Sequence, residues 1–116
     1  MIIETHSLKG LKSELNFLDK AMTKLGFVRW QWEYYRATYD LRFVDSTNEE
    51  EYFLRVNTRV AEGKLESPHA VLTVEDAYMG RVTFPHGLDY ESAIPESLVK
   101  AAKEKLEQLR DALKTK

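Results

Sequence analysis

Few side chains in this sequence have reactive chemistry. Cysteine is absent, which removes disulfides, thiol nucleophiles and every Cys-containing metal site. The histidines are His6, His69 and His86. No H-x-x-x-H or H-E-x-x-H spacing places two of them on one helical turn. His69 follows Pro68 and His86 follows Pro85, boundary positions where an imidazole is ordinarily structural or solvated. The residues therefore predict no metal and no cofactor. Acid–base chemistry has one candidate group: Glu75 and Asp76 beside Tyr78-Met79-Gly80, with His86 as proton-transfer partner. Catalysis would need a pocket and shifted pKa values, and no spacing reveals either. Whether the chain is an enzyme stays open, with a weak acid/base enzyme using His86 and Asp76 as one alternative. There is no G-x-S-x-G elbow, no G-x-G-x-x-G loop and no Walker pattern.

Binding chemistry is better represented. Residues 28–91 hold eleven of the thirteen aromatic residues, together with Arg29, Arg36, Arg42, Arg55 and Arg59. An exposed face carrying aromatics and arginines suits a binding surface or a dimer interface; ordinary cross-strand pairing on a solvated face is the plainer explanation. The candidate residues are Trp32, Tyr35, Arg36, Phe53, Arg55 and His86. A homodimer is the favoured partner. A small-molecule pocket near Trp32, Tyr34, Arg55 and His86, closed by the 76–90 loops, is the alternative. The segment 28–91 is net −5, between ends of +1 and +2, for −2 overall. That repels phosphate and argues against nucleic acid. Arg36, Asp40 and Arg55 lie inside strand-like segments. Any two that face the core edge should pair, because an unpaired buried charge is costly; exposure on the outer face is the alternative.

These groups must be positioned by a few elements. Leu8, Leu11, Leu15, Leu18, Met22 and Leu25 recur at helical steps, predicting a helix over 8–25, with Ser7 as cap and Gly26 as stop. The four residues before it suit a short edge strand. From Val28 to Val44 the period is two, read as one long strand with an irregularity at 36–38, where no Gly or Pro marks a turn. A polar loop over 45–50 leads into a strand from Tyr52 towards Val60. Ala70–Val74 and Gly80–Phe84 read as two further strands around a turn at 76–80, ended by Pro85-His86-Gly87. Pro95 opens a helix to 114, with Leu98, Val99, Ala102, Leu106, Leu109 and Leu113 on one stripe. The expected fold is α+β: a single antiparallel sheet with two amphipathic helices on one face, one domain over 1–116. Alternation places Trp30, Trp32, Tyr34 and Tyr52-Leu54-Val56 on the helix side, and Arg29, Gln31, Glu33, Tyr35, Phe53, Arg55 and Asn57 on the other. No apolar run is long enough to span a bilayer, and no membrane partner is expected. The start has no basic run followed by an apolar stretch, so a cytoplasmic location is expected.

The segments Gly26-Phe27-Val28, Trp32 to Asp40, Tyr52 to Val56, His69-Ala70 and Gly80 to Tyr90 resemble the YugN-like family of small bacillar proteins. Trp32-Glu33-Tyr34-Tyr35-Arg36-Ala37-Thr38-Tyr39-Asp40 and Pro85-His86-Gly87 are its most specific parts. The resemblance covers nearly the whole chain and implies a small cytosolic α+β domain. It brings no catalytic mechanism and no ligand-binding residue.

Overall fold

The structure, a computed structural model, describes residues 1–4, 8–33, 35–65, 67–83 and 87–114; for residues 31 and 32 it describes the backbone. Among the described residues, seven strands form one antiparallel sheet: β1 (Ile2–Ile3), β2 (Lys12–Glu14), β3 (Val28–Glu33), β4 (Arg36–Val44), β5 (Glu51–Glu62), β6 (Val71–Thr83) and β7 (Gly87–Asp89). The strand order is β1-β6-β5-β4-β3, with β2 and β7 also paired to β6. Helices α1 (Leu15–Lys24) and α2 (Glu96–Lys114) complete the chain.

The two helical stripes meet the sheet in one core, as their periodicity predicts. Leu15, Leu18 and Met22 of α1, and Leu106 and Leu109 of α2, join Leu54, Val56, Leu72, Val74, Ala77 and Met79 in one buried cluster. The α+β arrangement expected from the sequence is the one observed. No helix among the described residues is long and apolar enough to cross a membrane.

Helix α1 is shorter than the 8–25 expected. Gly10 has φ +94°, outside the helical region. Its N–H donates to the Val74 carbonyl, and Val74 N–H donates to the Leu11 carbonyl. Residues 12–14 then pair with β6, so this stretch takes its hydrogen bonds from the sheet. Ser7, the expected cap, lies outside the described residues. Glu14 stands at the N-cap, but its side chain does not cap the helix; its carboxylate lies 2.9 Å from His69 Nδ1 instead. The first helical N–H groups are satisfied instead by loop carbonyls: Leu15 by Ala70 at 2.7 Å and Asn16 by Pro68 at 3.0 Å. The stop at Gly26 (φ +98°) holds. Gly26 N–H bonds Thr23 and Phe27 N–H bonds Met22, which closes the helix as a Schellman motif.

Three strand expectations change. Val28–Val44 is a hairpin and not one long strand: Glu33 stands opposite Arg36, two residues before the irregularity expected at 36–38. The Tyr35 carbonyl accepts from Val60 N–H at 2.8 Å, so a third strand helps hold the reversal, which therefore needs no Gly or Pro. Residues 71–83 are one continuous strand with no turn at 76–80. Pairing to β5 on one side and to β1, β2 and β7 on the other keeps that strand extended. Finally, β3 carries a bulge. Arg29 is opposite Tyr39 and Gln31 opposite Thr38, leaving Trp30 as the extra residue. Trp30, expected on the helix side, is 67% exposed beside Phe53. Arg29, expected on the other face, bonds Asp19 of α1 at 3.0 Å. On β5 the expected phase is observed: Tyr52, Leu54 and Val56 are buried, and Phe53, Arg55 and Asn57 half-buried.

Candidate functional site

The face of the sheet away from the helices carries the polar and aromatic side chains. Along β4 it shows Arg36, Thr38, Asp40 and Arg42, directly opposite Arg59, Asn57, Arg55 and Phe53 of β5. At its centre Arg55 holds Asp40 in a two-pronged pair, Nε to Oδ1 at 2.8 Å and Nη2 to Oδ2 at 2.9 Å. Asp40 is only 7% exposed although no helix covers it. The pair holds the Arg55 guanidinium even more firmly protonated than usual, through the hydrogen bonds to Asp40. The third prong, Arg55 Nη1, donates to the Tyr90 hydroxyl at 3.0 Å.

Tyr90 reaches Arg55 because the chain doubles back after β6. Strand β7 pairs back on β6, with Val82 opposite Leu88. Asp89 then fastens the next turn: it accepts from Ser92 Oγ at 2.6 Å and from Glu91 N–H at 2.9 Å. The Ser92 bond comes first in holding the Asp89 carboxyl below its ordinary range. The Met1 nitrogen donates to the carbonyls of Tyr90 and Met79. Gly80 makes room for the chain here: a Cβ on it would stand 3.1 Å from Leu88 Cβ and 3.2 Å from the Tyr90 ring. Tyr90 packs on Tyr78, ring centres 5.8 Å apart.

Arg55 thereby separates two hollows. An apolar one of about 580 Å³ lies over Val28, Trp30, Phe53, Val82 and Leu88. A polar one of about 540 Å³ lies over Glu33, Arg36, Thr38, Asn57, Glu75, Tyr78 and Tyr90. Both volumes fall in the range of small-molecule sites. Among the described residues, the large hydrophobic side chains left exposed are Met1, Ile2, Val28, Trp30, Tyr35, Val44 and Tyr90. All but Tyr35 and Val44 line one of these hollows.

Of the candidates read from the sequence, Arg36, Phe53 and Arg55 come together here. Tyr35 is 71% exposed at the end of the β3–β4 hairpin, beside Arg36 in sequence but lining neither hollow. Trp32 lies opposite Ala37 in register. Tyr34 and His86 lie outside the described residues. Of the acid–base group, Asp76 is bound by Lys9 at 2.9 Å, a contact that raises the lysine's pKa. Glu75 stands 3.8 Å from Arg59. Asp40 and Arg55 do pair, as required of buried charges, but on the open face; Arg36 is exposed. The described residues contain no group of three or more His, Asp or Glu that could hold a metal ion. The residues the sequence reading missed are Val28, Trp30, Val82, Leu88 and Tyr90. Alternation alone placed Trp30 on the helix side, and nothing local shows that Tyr90 reaches Arg55.

The YugN-like family model matches residues 4–115. The chain belongs to the YugN-like family. It is 36% identical over 111 residues to a Bacillus subtilis (strain 168) protein named uncharacterized protein YlbA, covering 93% of this chain and 91% of that protein. It is also similar to the crystal structure of the uncharacterized conserved protein YugN from Geobacillus kaustophilus HTA426. That match has a TM-score of 0.85 and 34% identity, over 99% of this chain and 96% of the other. These matches bear out the resemblance expected from the sequence, which covered nearly the whole chain.

Proposed function

We propose that the chain acts as one binding domain through the open face of its sheet, and that the apolar hollow is occupied by a second copy of the chain. The observation that carries this is the concentration of exposed hydrophobic side chains on that face, above all Val28 and Trp30 at 65% and 67% exposure. Exposed apolar clusters rimmed by polar groups mark interaction sites. The rim holds charges of both signs: Arg42 paired with Glu51, and Arg55 paired with Asp40. Such a rim is self-complementary under a two-fold rotation, whereas a strongly acidic or basic partner would call for one sign. A net charge of −2 leaves little long-range repulsion between copies. Two acids on the face are engaged in ion pairs, Asp40 with Arg55 and Glu75 with Arg59, which favours binding over proton transfer there. The absence of cysteine fits a reducing compartment such as the cytoplasm.

Sedimentation equilibrium of the parent and of Trp30→Glu tests the proposal. Trp30 is exposed, so the substitution leaves the core intact, and circular dichroism checks the fold. The parent should be a dimer and the variant a folded monomer. A parent still monomeric at ~100 μM, a range that detects weak pairs, refutes self-association. So does a variant that dimerises as well as the parent.

A second reading concerns the polar hollow, whose size and mixture of arginine, glutamate and tyrosine side chains suit a small molecule.

A further inference from the structure

One rim of the polar hollow crosses an unusual row of charges: Glu33, Arg36 and Glu75 line the hollow, and Arg59 stands next to Arg36 just outside its lining. Glu33 of β3 stands opposite Arg36 of β4, and Arg36 stands opposite Arg59 of β5. Beyond Arg59, on β6, Glu75 approaches to 3.8 Å. The row therefore reads acid, base, base, acid. Two like charges directly opposite on one sheet face repel. Here neither arginine is neutralised by a close, two-pronged partner: among the described residues Arg36 and Glu33 form no ion pair, and Arg59 has only the long contact to Glu75. Arg55, by contrast, is saturated by Asp40. A carboxylate between Arg36 and Arg59 would relieve the repulsion with charge-assisted bonds. An ammonium group beside it would fall within the field of Glu33 or Glu75. Behind the charges lie Thr38 and Asn57, joined to each other at 3.3 Å. The Tyr78–Tyr90 pair walls the far end.

Building on the small-molecule reading of this hollow, we infer that it binds a zwitterionic α-amino acid with an apolar or aromatic side chain. Its carboxylate sits between Arg36 and Arg59, its ammonium group faces a flanking glutamate, and its side chain lies against the tyrosines. A simple anion would satisfy the arginines but leave Glu33, which has no ion pair among the described residues, without a cation. A simple cation would meet the arginine pair. The zwitterion matches both signs of the row.

The test is isothermal titration of the whole protein with L-phenylalanine, N-acetyl-L-phenylalanine, L-phenylalaninamide and inorganic phosphate. L-Phenylalanine should bind, and removing either charge by acetylation or amidation should weaken binding by about tenfold or more. Arg36→Ala should produce a similar loss, while Lys103→Ala, exposed on α2 and lining neither hollow, should leave binding unchanged. Circular dichroism confirms that both variants are folded. If N-acetyl-L-phenylalanine or phosphate binds as well as L-phenylalanine in an Arg36-dependent way, the zwitterion inference fails and the small-molecule reading stands. If nothing binds at ~10 mM, weaker than any useful site, both fail. Binding of L-phenylalanine that is indifferent to Arg36→Ala overturns the assignment to this hollow.

Discussion

Removing the Arg55 side chain tests how the open face is held. Arg55→Ala deletes two bonds to Asp40, at 2.8 and 2.9 Å, and one to the Tyr90 hydroxyl at 3.0 Å. What matters more is what stays behind: an Asp40 carboxylate whose side chain is 8% exposed. Breaking a buried pair by removing one partner typically costs about 3–5 kcal/mol, most of it the penalty for the stranded charge. The Arg55 side chain is itself 21% exposed, so water entering the vacated space moderates that penalty and places the expectation near ~3 kcal/mol. Asp40→Ala/Arg55→Ala removes the stranded charge too, and should be about 1–2 kcal/mol more stable than Arg55→Ala alone. Urea melts of the parent, both single variants and the double variant complete the cycle. The total stability of such a chain is about 5–15 kcal/mol, so each variant should retain a measurable folded baseline. A loss under ~1 kcal/mol for Arg55→Ala, the level of an exposed ion pair, would refute the reasoning. Additive single-variant losses would refute it as well.

Two further outcomes concern the supports of that face. Tyr39 is 1% exposed, and its hydroxyl donates at 2.5 Å to the Asp19 carboxylate that also holds Arg29. Tyr39→Phe should therefore cost about 1.5–3 kcal/mol in a urea melt, and a loss below ~0.5 kcal/mol would contradict the bond's role. Burial first, and then the bond to Asp19, push the Tyr39 phenol well above its ordinary pKa. The folded state thus holds this proton more tightly than the unfolded chain does. Its stabilisation is fully present below an unfolded value of about 10 and is lost as pH rises through the folded value. Parent stability should accordingly fall more steeply above pH ~10 than that of Tyr39→Phe, and parallel pH profiles would exclude this linkage. Gly80→Ala places a methyl group 3.1–3.3 Å from Leu88, Tyr90 and Asp89. It should cost about 1–3 kcal/mol and speed hydrogen exchange across β7, whereas unchanged exchange there would show that the chain passes Gly80 with room to spare.

Much of the fold was legible because it rests on local periodicity. The stripes Leu15-Leu18-Met22 and Leu106-Leu109 need only a helical period to define a face, and both are buried in one core. Alternation likewise sorted β5, where Leu54 and Val56 are fully buried and Phe53 and Arg55 are not. The misreadings arose where distant strands outweighed local signals. Leu8 and Leu11 continue the helical stripe by spacing, yet Gly10 and the bonds to Val74 give that stretch to the sheet. The reversal between Glu33 and Arg36 is marked by no Gly or Pro, and the Tyr35 carbonyl takes a bond from Val60 N–H instead. Asp76 and Gly80 look like turn residues but lie within a strand bonded on both sides.

The candidate site was less legible because its shape depends on register. One extra residue, Trp30, reverses the face assignment at the start of β3 and moves a tryptophan from the expected core to the open face. The requirement that buried charges pair could be read from Arg36, Asp40 and Arg55 as residue types; which two would pair, and on which side, could not. That location bears on function. A sheet face left bare for solvent would be expected to carry mobile, exposed ion pairs, which contribute little. Here the central pair is two-pronged and its carboxylate nearly inaccessible, although no helix lies over it. Neighbouring side chains on the same face must therefore exclude water from it, and Tyr90 comes from a distant turn to complete its hydrogen bonds. Fixing a dehydrated charge pair between two hollows gives each a rigid shared wall. Such preorganisation lowers the ordering cost that a bound partner or ligand must otherwise meet.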